Sequence, residues 1–475
     1  MDEHSLNRVR QQLLTEMALE ELYVYFAAFF TNLISINVGA AFAWTSPVLP
    51  KFKQLGKDNP LAQATTTSED AWITSLNCLG AAFGPIISGY LSEKLGRKKT
   101  LLLFSLPMIV CQIITMFGDK VYVFLVARFL WGLGMGCVMS VVPAFIGEIS
   151  EDKNRGLLGV FMSLLVTIGN ILMYAVGPFV NMTILGLVNL IPLLLFLITF
   201  GLLVPETPYH FLKNDDKVKA RESLIRFRGK NCDVKKELEQ MTMVIEESNA
   251  SKASIKDMFS SKPLKKGLMI SCGLFFFQQF SGINAVLGNM ETIFQAAKSS
   301  FPAEYAAIFL GVIQMIVTFL VSQLADRLGR KILLLISSLG SCLSIACLSV
   351  YFALSSNEYD VSSVSWLPIL SLLIYIICFN AGLSCLPFAI LGEIFPVNFK
   401  SLASSMATCV NLFLAFLVTM FYPHVSEALG LAGSFGLFAL FCFIGFLFTL
   451  FVVPETKGKS LVEIQRILNN EDVVV

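Results

Sequence analysis

The chain has 475 residues, 55% of them hydrophobic and only 15% charged, with a mean hydropathy of +0.71. That balance excludes a water-soluble globular protein, in which roughly a quarter of residues are charged, and it supplies about a dozen membrane spans at ~20 apolar residues each. A net charge of +1 gives no electrostatic basis for nucleic-acid binding.

The opening residues, Met1 to Arg8, lack the basic-then-apolar form of a signal peptide, so the first long apolar run is expected to be retained as a span. Twelve spans are predicted, at 23–46, 71–91, 100–118, 121–143, 156–178, 183–204, 265–290, 303–325, 331–354, 365–391, 400–422 and 431–453. The predicted class is therefore an all-α integral membrane protein. Its parts are a cytoplasmic N-terminus (1–22), a six-helix bundle (23–204), a cytoplasmic linker (205–264), a second six-helix bundle (265–453) and a cytoplasmic C-terminus (454–475). In the linker, Val218, Leu224, Ile225, Leu238, Met241 and Val244 recur at helical spacing among Lys, Arg and Glu, which predicts short amphipathic helices. Another short helix is predicted from Ser460 to Leu468.

With the N-terminus inside, the outer loops carry only Lys51, Lys53, Lys57, Lys120 and Lys298, and Arg128 falls within a span. The other basic residues face the cytoplasm, as the positive-inside rule requires. Asn181-Met-Thr183 is then a glycosylation sequence on the outside, while Asn249-Ala-Ser251 faces inward and stays bare. The 11 cysteines show no metal or redox spacing, and His4, His210 and His424 are scattered. No metal or cofactor is expected, and no catalytic constellation is found. A phosphate loop of the ATP-driven kind is absent.

The halves repeat. Gly89 to Lys98 is echoed by Ser322 to Lys331, Glu148 with Arg155 by Glu393 with Lys400, and Pro205-Glu206-Thr207 by Pro454-Glu455-Thr456. The offsets are nearly constant: 233 from Arg97 to Arg330, 245 from Glu148 to Glu393 and 249 from Pro205 to Pro454. Three charged cassettes in one order, each beside apolar runs, indicate two similar bundles around a central cavity.

At these cassettes the chain resembles the sugar-porter family of the major facilitator superfamily, over about residues 20 to 468. Further motifs carry the resemblance: Arg128 to Gly136, Gln278-Gln279-Phe-Ser-Gly282-Ile-Asn284, Gly392-Glu393-Ile-Phe-Pro396 and Pro454 to Gly458. Ala43 to Pro50 and the stretch from Pro178 to Pro192 are similar to the insect facilitated trehalose transporter branch. The resemblance implies two pseudo-symmetric six-helix bundles and a small neutral sugar as substrate. It also implies a plasma-membrane location and a single chain as the working unit.

A neutral sugar calls for neutral donors and acceptors, and an amide offers both. Gln278 and Gln279 lie about 120° and about 140° from Asn284 around a helix, a broad polar face that the nearby Gly282 and Gly288 could unwind. The same amides could instead join helices to one another. By the resemblance, Gln314, Ser163 and Asn411 also face substrate. The tenth span departs from the family's Gly-Pro-Gly-Pro-Ile-Pro-Trp run: it reads Gly382-Leu-Ser-Cys-Leu-Pro387-Phe388, with Asn380 in place of an upstream acid. Pro387 keeps a hinge, and Phe388 can stack on an apolar sugar face. Asn289 stands where the family has a tyrosine.

The charged residues are expected to gate. Glu93, Arg97, Glu148 and Arg155 in one half, and Asp326, Arg330, Glu393 and Lys400 in the other, are expected to pair when the carrier faces outward and to part when it faces inward. Glu206 and Glu455 brace them. Lys400 keeps the charge of the family's Arg without its two-pronged donor. Arg128, buried at membrane depth, is assigned to gating. Proton-coupled members carry an acid in the first span. The run from Leu22 to Pro47 has none, and Thr45 stands near that place, which favours facilitated diffusion. A non-transporting sugar sensor, a proton-coupled carrier and a polyol carrier are the alternative readings.

Overall fold

The computed structural model describes residues 22–54, 59–61, 63–151, 154–229, 233–250, 258–259, 261–297, 302–459 and 461–469, without the side chains of 247–250, 322–328, 397–398, 401 and 461–462. All regular structure among them is helical. The first six spans are Leu22–Lys53, Thr67–Leu95, Arg97–Phe117, Val121–Ile149, Arg155–Val176 and Met182–Leu203. The seventh is Lys262–Phe280, continued by the half-helix Ile283–Gly288, and the half-helix Met290–Ala296 follows it. The eighth and ninth are Ala303–Leu328 and Arg330–Ser356. The tenth is Leu367–Ala381 with Leu386–Ile394.

The last helix, Val397–Phe451, has 55 residues. At 1.5 Å per residue it would reach about 80 Å, far more than a ~30 Å hydrocarbon core needs. Gly430, at φ 69° and ψ 173°, breaks it into the eleventh and twelfth spans. Several helices run past their predicted apolar windows, to Leu95, Ile149 and Leu328, since the charged cassettes at their ends stay helical once they reach water.

Packing divides the spans into two bundles. The second packs on the fourth, the first on the fifth and the third on the sixth; in the other half the ninth packs on the tenth and twelfth, and the eighth on the tenth. Between the bundles, the second meets the eleventh and the fifth meets the eighth. Close crossings depend on small residues. A Cβ at Gly132 would overlap the Asn77 carbonyl of the second span, and one at Gly136 would overlap that of Ala81.

The linker forms the helices Pro208–Lys213, Lys217–Arg228 and Val234–Ala250, and Leu461–Asn469 follows the last span. These lie at the face that carries the repeated cassettes. Phe227 packs on Tyr23 at a ring separation of 5.9 Å. Arg228 Nε sits 2.9 Å from Glu237 and 3.7 Å from Glu151, and its guanidinium also donates to the Ile149 and Ser150 carbonyls at the end of the fourth span.

Candidate functional site

The repeated cassettes fold into matching charge clusters. Gly96 takes φ 93° and Gly329 takes φ 96°, so each sequence turns sharply before its next helix. At the helix start after Gly96, Glu206 accepts from the backbone N–H of Arg97 at 3.1 Å and of Lys98 at 2.9 Å. After Gly329, Glu455 accepts from Arg330 and Lys331, both at 3.1 Å. A carboxylate at a helix N-terminus fills orphan donors and meets the positive end of the dipole. Arg97 Nε then reaches Glu148 at 3.0 Å, and Arg330 Nε reaches Glu393 at 3.1 Å. Both pairs lie within one bundle.

The other expected gate residues are placed differently. Glu93 lies 3.9 Å from Lys213, an exposed pair of little energetic weight. Lys400 is exposed and makes no ion pair among the described residues. Arg155 is exposed at the start of the fifth span. The side chain of Asp326 lies outside those described. Arg128 is 2% exposed and meets no carboxylate among the described residues; it donates to the Ile73 carbonyl at 3.0 Å and the Ala41 carbonyl at 2.9 Å, between the rings of Trp44 and Trp131. It thus ties the fourth span to the second and the first.

The seventh-span amides do meet. Asn284 Nδ2 donates to Gln279 Oε1, and Gln279 Nε2 donates to Asn411 Oδ1, each at 2.6 Å. Gln278 Nε2 turns to the tenth span, where it meets the carbonyls of Leu383 at 2.7 Å and Ser384 at 3.0 Å. Those carbonyls lie in the break between Leu367–Ala381 and Leu386–Ile394, and the Leu383 N–H is held by Ser337 Oγ at 3.0 Å. Pro387 falls in the first turn of the resumed helix, where a missing N–H costs nothing. Gln278 Oε1 and Gln314 Oε1 are buried without a hydrogen-bond partner among the described residues.

Between the bundles lies a cavity of about 250 Å³ lined by residues of the fifth, eighth and tenth spans, among them Ser163, Thr318 and Asn380. Among the described residues its lining has no Asp, Glu, Lys, Arg or His. It runs from Ser163 and Asn380 to Gly156, the second residue of the fifth helix, and therefore toward the charge-bearing face. At the opposite end the bundles are laced together. Thr45 Oγ1 donates to the Gly288 carbonyl at 2.9 Å, Tyr174 Oη to that of Leu287 at 3.0 Å, and the Glu291 N–H to Ser46 Oγ at 3.1 Å. Ser68 and His424 meet at 3.3 Å beside them. The intra-bundle pairs Arg97–Glu148 and Arg330–Glu393 are both closed in this geometry.

Residues 23–468 match the family described as Sugar (and other) transporter. The chain belongs to the sugar transporter family. It is 36% identical over 442 residues to the facilitated trehalose transporter Tret1 of Bombyx mori, covering 92% of this chain and 85% of that one. To Tret1 of Polypedilum vanderplanki it is 35% identical over 451 residues, 94% and 88% of the two chains. Among solved structures, the inward open conformation of the xylose transporter XylE from E. coli matches with a TM-score of 0.77 at 21% identity, over 94% of this chain and 99% of that one. The partially occluded inward open form of XylE gives 0.76 at 22%, over 92% and 100%. At such identity the likeness speaks for the fold, the twelve-helix major facilitator fold in two bundles.

In this sugar transporter the expected contact residues thus fall into three groups. Ser163 and Asn380 wall the cavity, Gln279, Asn284 and Asn411 form one hydrogen-bonded string, and Gln278 holds the tenth-span break. Gln314, whose Oε1 is buried in the eighth span, belongs to none of them, and two others stand apart. Asn289 Nδ2 closes its own turn on the Ala285 carbonyl at 2.9 Å. Phe388 is 37% exposed and packs edge-on to Phe275 at 4.7 Å, and it is not among the cavity's lining residues. Sequence reasoning missed the seam residues Ser46, Tyr174 and Glu291. Their only signal was polarity at span ends, which they share with many surface residues.

Proposed function

We propose that the chain carries a neutral sugar of the trehalose or glucose class across the plasma membrane by facilitated, alternating-access uniport. The observation that carries this reading is the inter-bundle cavity, polar at Ser163, Thr318 and Asn380 and lined, among the described residues, by no acid or base. A charged solute would need a counter-charge there, and a neutral polyhydroxylated one needs only donors and acceptors. The buried, unpartnered oxygens of Gln278 and Gln314 are acceptors that sugar hydroxyls can fill. The trehalose carriers of Bombyx mori and Polypedilum vanderplanki, at 36% and 35% identity, support the substrate class.

The charge-bearing face is read as cytoplasmic, with both termini inside and the two bundles joined by the linker 205–264, since the loops there hold most Lys and Arg. The sealed Thr45–Gly288 end is then extracellular, and the molecule faces inward. On reopening outward, the seam bonds at Thr45, Ser46 and Tyr174 break while bundle-internal bonds such as Arg97–Glu148 persist, so each bundle moves as a body. Absence of an acid from Leu22 to Pro47 favours uniport over proton symport. A monomer suffices, because the cavity is walled by helices of one chain. The outer Asn181, exposed at the first turn of the sixth span, is the proposed glycan acceptor.

The test is uptake of labelled trehalose and glucose into cells expressing the chain, with and without a proton uncoupler, beside Gln279→Ala. Saturable uptake that ignores the uncoupler and falls in the variant is expected. Loss of uptake on uncoupling would replace uniport by symport, and no uptake of either sugar at normal surface expression would turn the reading to a sensor.

A further inference from the structure

Glu291 lies in the half-helix Met290–Ala296, just beyond the seventh span, and is 6% exposed. Its N–H is fixed to Ser46 across the seam. Its carboxylate accepts from Gln295 Nε2 at 3.1 Å, a neutral partner, and no cation reaches ion-pair distance among the described residues. The charged neighbours are unevenly arranged. Glu304, at the start of the eighth span, repels it. Lys51 of the first span attracts it, but that ammonium also donates to the carbonyls of Gly177 and Val180. Lys53 is spent on Asp70 at 3.2 Å. The half-helix Ile283–Gly288 carries no titratable side chain. Tyr351 of the ninth span binds the Ala297 carbonyl at 2.9 Å, and His424 of the eleventh faces Ser68. Burial foremost, then Glu304, raises the Glu291 carboxyl to about 7, with Lys51 opposing.

A carboxylate buried at a seam that must open and close is exposed to water in one state and enclosed in the other. We propose that Glu291 is a proton-binding switch of the seal. Closing the seam takes up one proton on the carboxylate, and opening it returns that proton to the same side of the membrane. The carrier remains a uniporter, because no proton crosses with sugar. That the proton comes from outside rests on the sidedness proposed above, while the link between proton and seal does not.

The sign follows from the two affinities. In the sealed state the carboxyl titrates at about 7, and in the open, hydrated state near its ordinary 4.5. The sealed state holds its proton more tightly, so acid favours sealing and alkali favours opening. Between pH 6 and pH 8 the sealed-to-open ratio should fall about tenfold.

Hydrogen–deuterium exchange on the purified full-length chain, without sugar, reads this directly. Peptides covering 45–53 and 290–296 report the seal, and peptides from 217–228 in the same sample correct for intrinsic exchange. The wild type is expected to open about tenfold more at pH 8 than at pH 6, while Glu291→Gln stays at the protected level at both. Glu304→Gln, which removes a repelling charge, should move the wild-type midpoint to lower pH. The same pH response in wild type and Glu291→Gln overturns the proposal. Should Glu291→Gln fail to fold, an unmoved midpoint in Glu304→Gln overturns it equally. Neither readout depends on the sugar, so failure here leaves the transport reading standing, and failed uptake leaves this one standing.

Discussion

The side-chain amide of Gln278 donates to the carbonyls of Leu383 and Ser384 at 2.7 and 3.0 Å, so a seventh-span residue closes the gap in the tenth. Unwound backbone at membrane depth is tolerated only where its polar groups find partners. Gln278 provides two of them here, and Ser337 Oγ a third. Any rotation of the tenth span about residues 382–385 is thereby coupled to this amide, whose Oε1 is buried without a hydrogen-bond partner among the described residues.

Gln278→Ala leaves two buried carbonyls without this donor, and such a loss costs about 1–3 kcal/mol. Uptake should fall about tenfold or more, with a lower maximal rate as well as weaker apparent affinity. Gln278→Glu keeps the shape but loses the donor, and should be no better than alanine. Initial rates across sugar concentrations check this. A variant changed in affinity alone would confine Gln278 to substrate contact.

The two charge clusters differ at one bond. Thr207 Oγ1 donates to Glu148 Oε2 at 2.6 Å, whereas the equivalent atoms of the second half, Thr456 Oγ1 and Glu393 Oε2, are both buried without a hydrogen-bond partner among the described residues. Thr207→Val should therefore destabilise by about 1–2 kcal/mol, while Thr456→Val should be close to neutral. Thermal unfolding of the two variants in one detergent tests the ordering. Equal losses would show that the second cluster makes the same bond in solution.

Much of this was legible in the sequence, for different reasons. The spans follow from apolar runs, and the matching of Glu206 to Glu455 and of Arg97 to Arg330 follows from repetition, since equal cassettes fold to equal geometry. The amide string was legible only in part: spacing put Gln279 and Asn284 on one broad face, but their bond to each other depends on the turn at Gly282, at φ 88°. Phe388 could not be placed, because one residue of rotation after the break at 382–385 decides whether a ring faces the cavity or away from it. The seam at Thr45, Ser46 and Glu291 was hidden for another reason. Its partners are mostly backbone groups, which no side-chain pattern announces.

Arg128 joins three spans through its donors. Its guanidinium meets the Ile73 and Ala41 carbonyls and lies over Trp44 and Trp131 at 5.3 and 5.6 Å. Lysine has the charge but not the planar fork, so it cannot hold both carbonyls and stack at once. Arg128→Lys should lose about 2–3 kcal/mol of stability, and Arg128→Ala more, with poor recovery of monodisperse protein. Size-exclusion chromatography after mild heating reads this. A stable Arg128→Lys that is selectively inactive would instead place Arg128 in the transport cycle.

Glu455 gives a prediction with a definite sign in pH. Burial alone would raise its carboxyl, but backbone N–H groups of Lys457, Arg330, Lys331 and Thr456 outweigh burial and hold it below its ordinary 4.5. A folded-state value below the unfolded one means that the unfolded chain takes up the proton first as pH falls. The stabilising contribution is therefore complete above about pH 5 and is lost as pH drops through the folded value. Glu455→Gln mimics the protonated group, so its thermal midpoint should lie below that of the wild type by a constant amount from pH 8 to about pH 5.5, and the two should converge on further acidification. Melting curves at half-unit pH steps decide it. A gap that widens toward acid, or none at neutral pH, would mean that Glu455 does not cap the ninth span in the working protein.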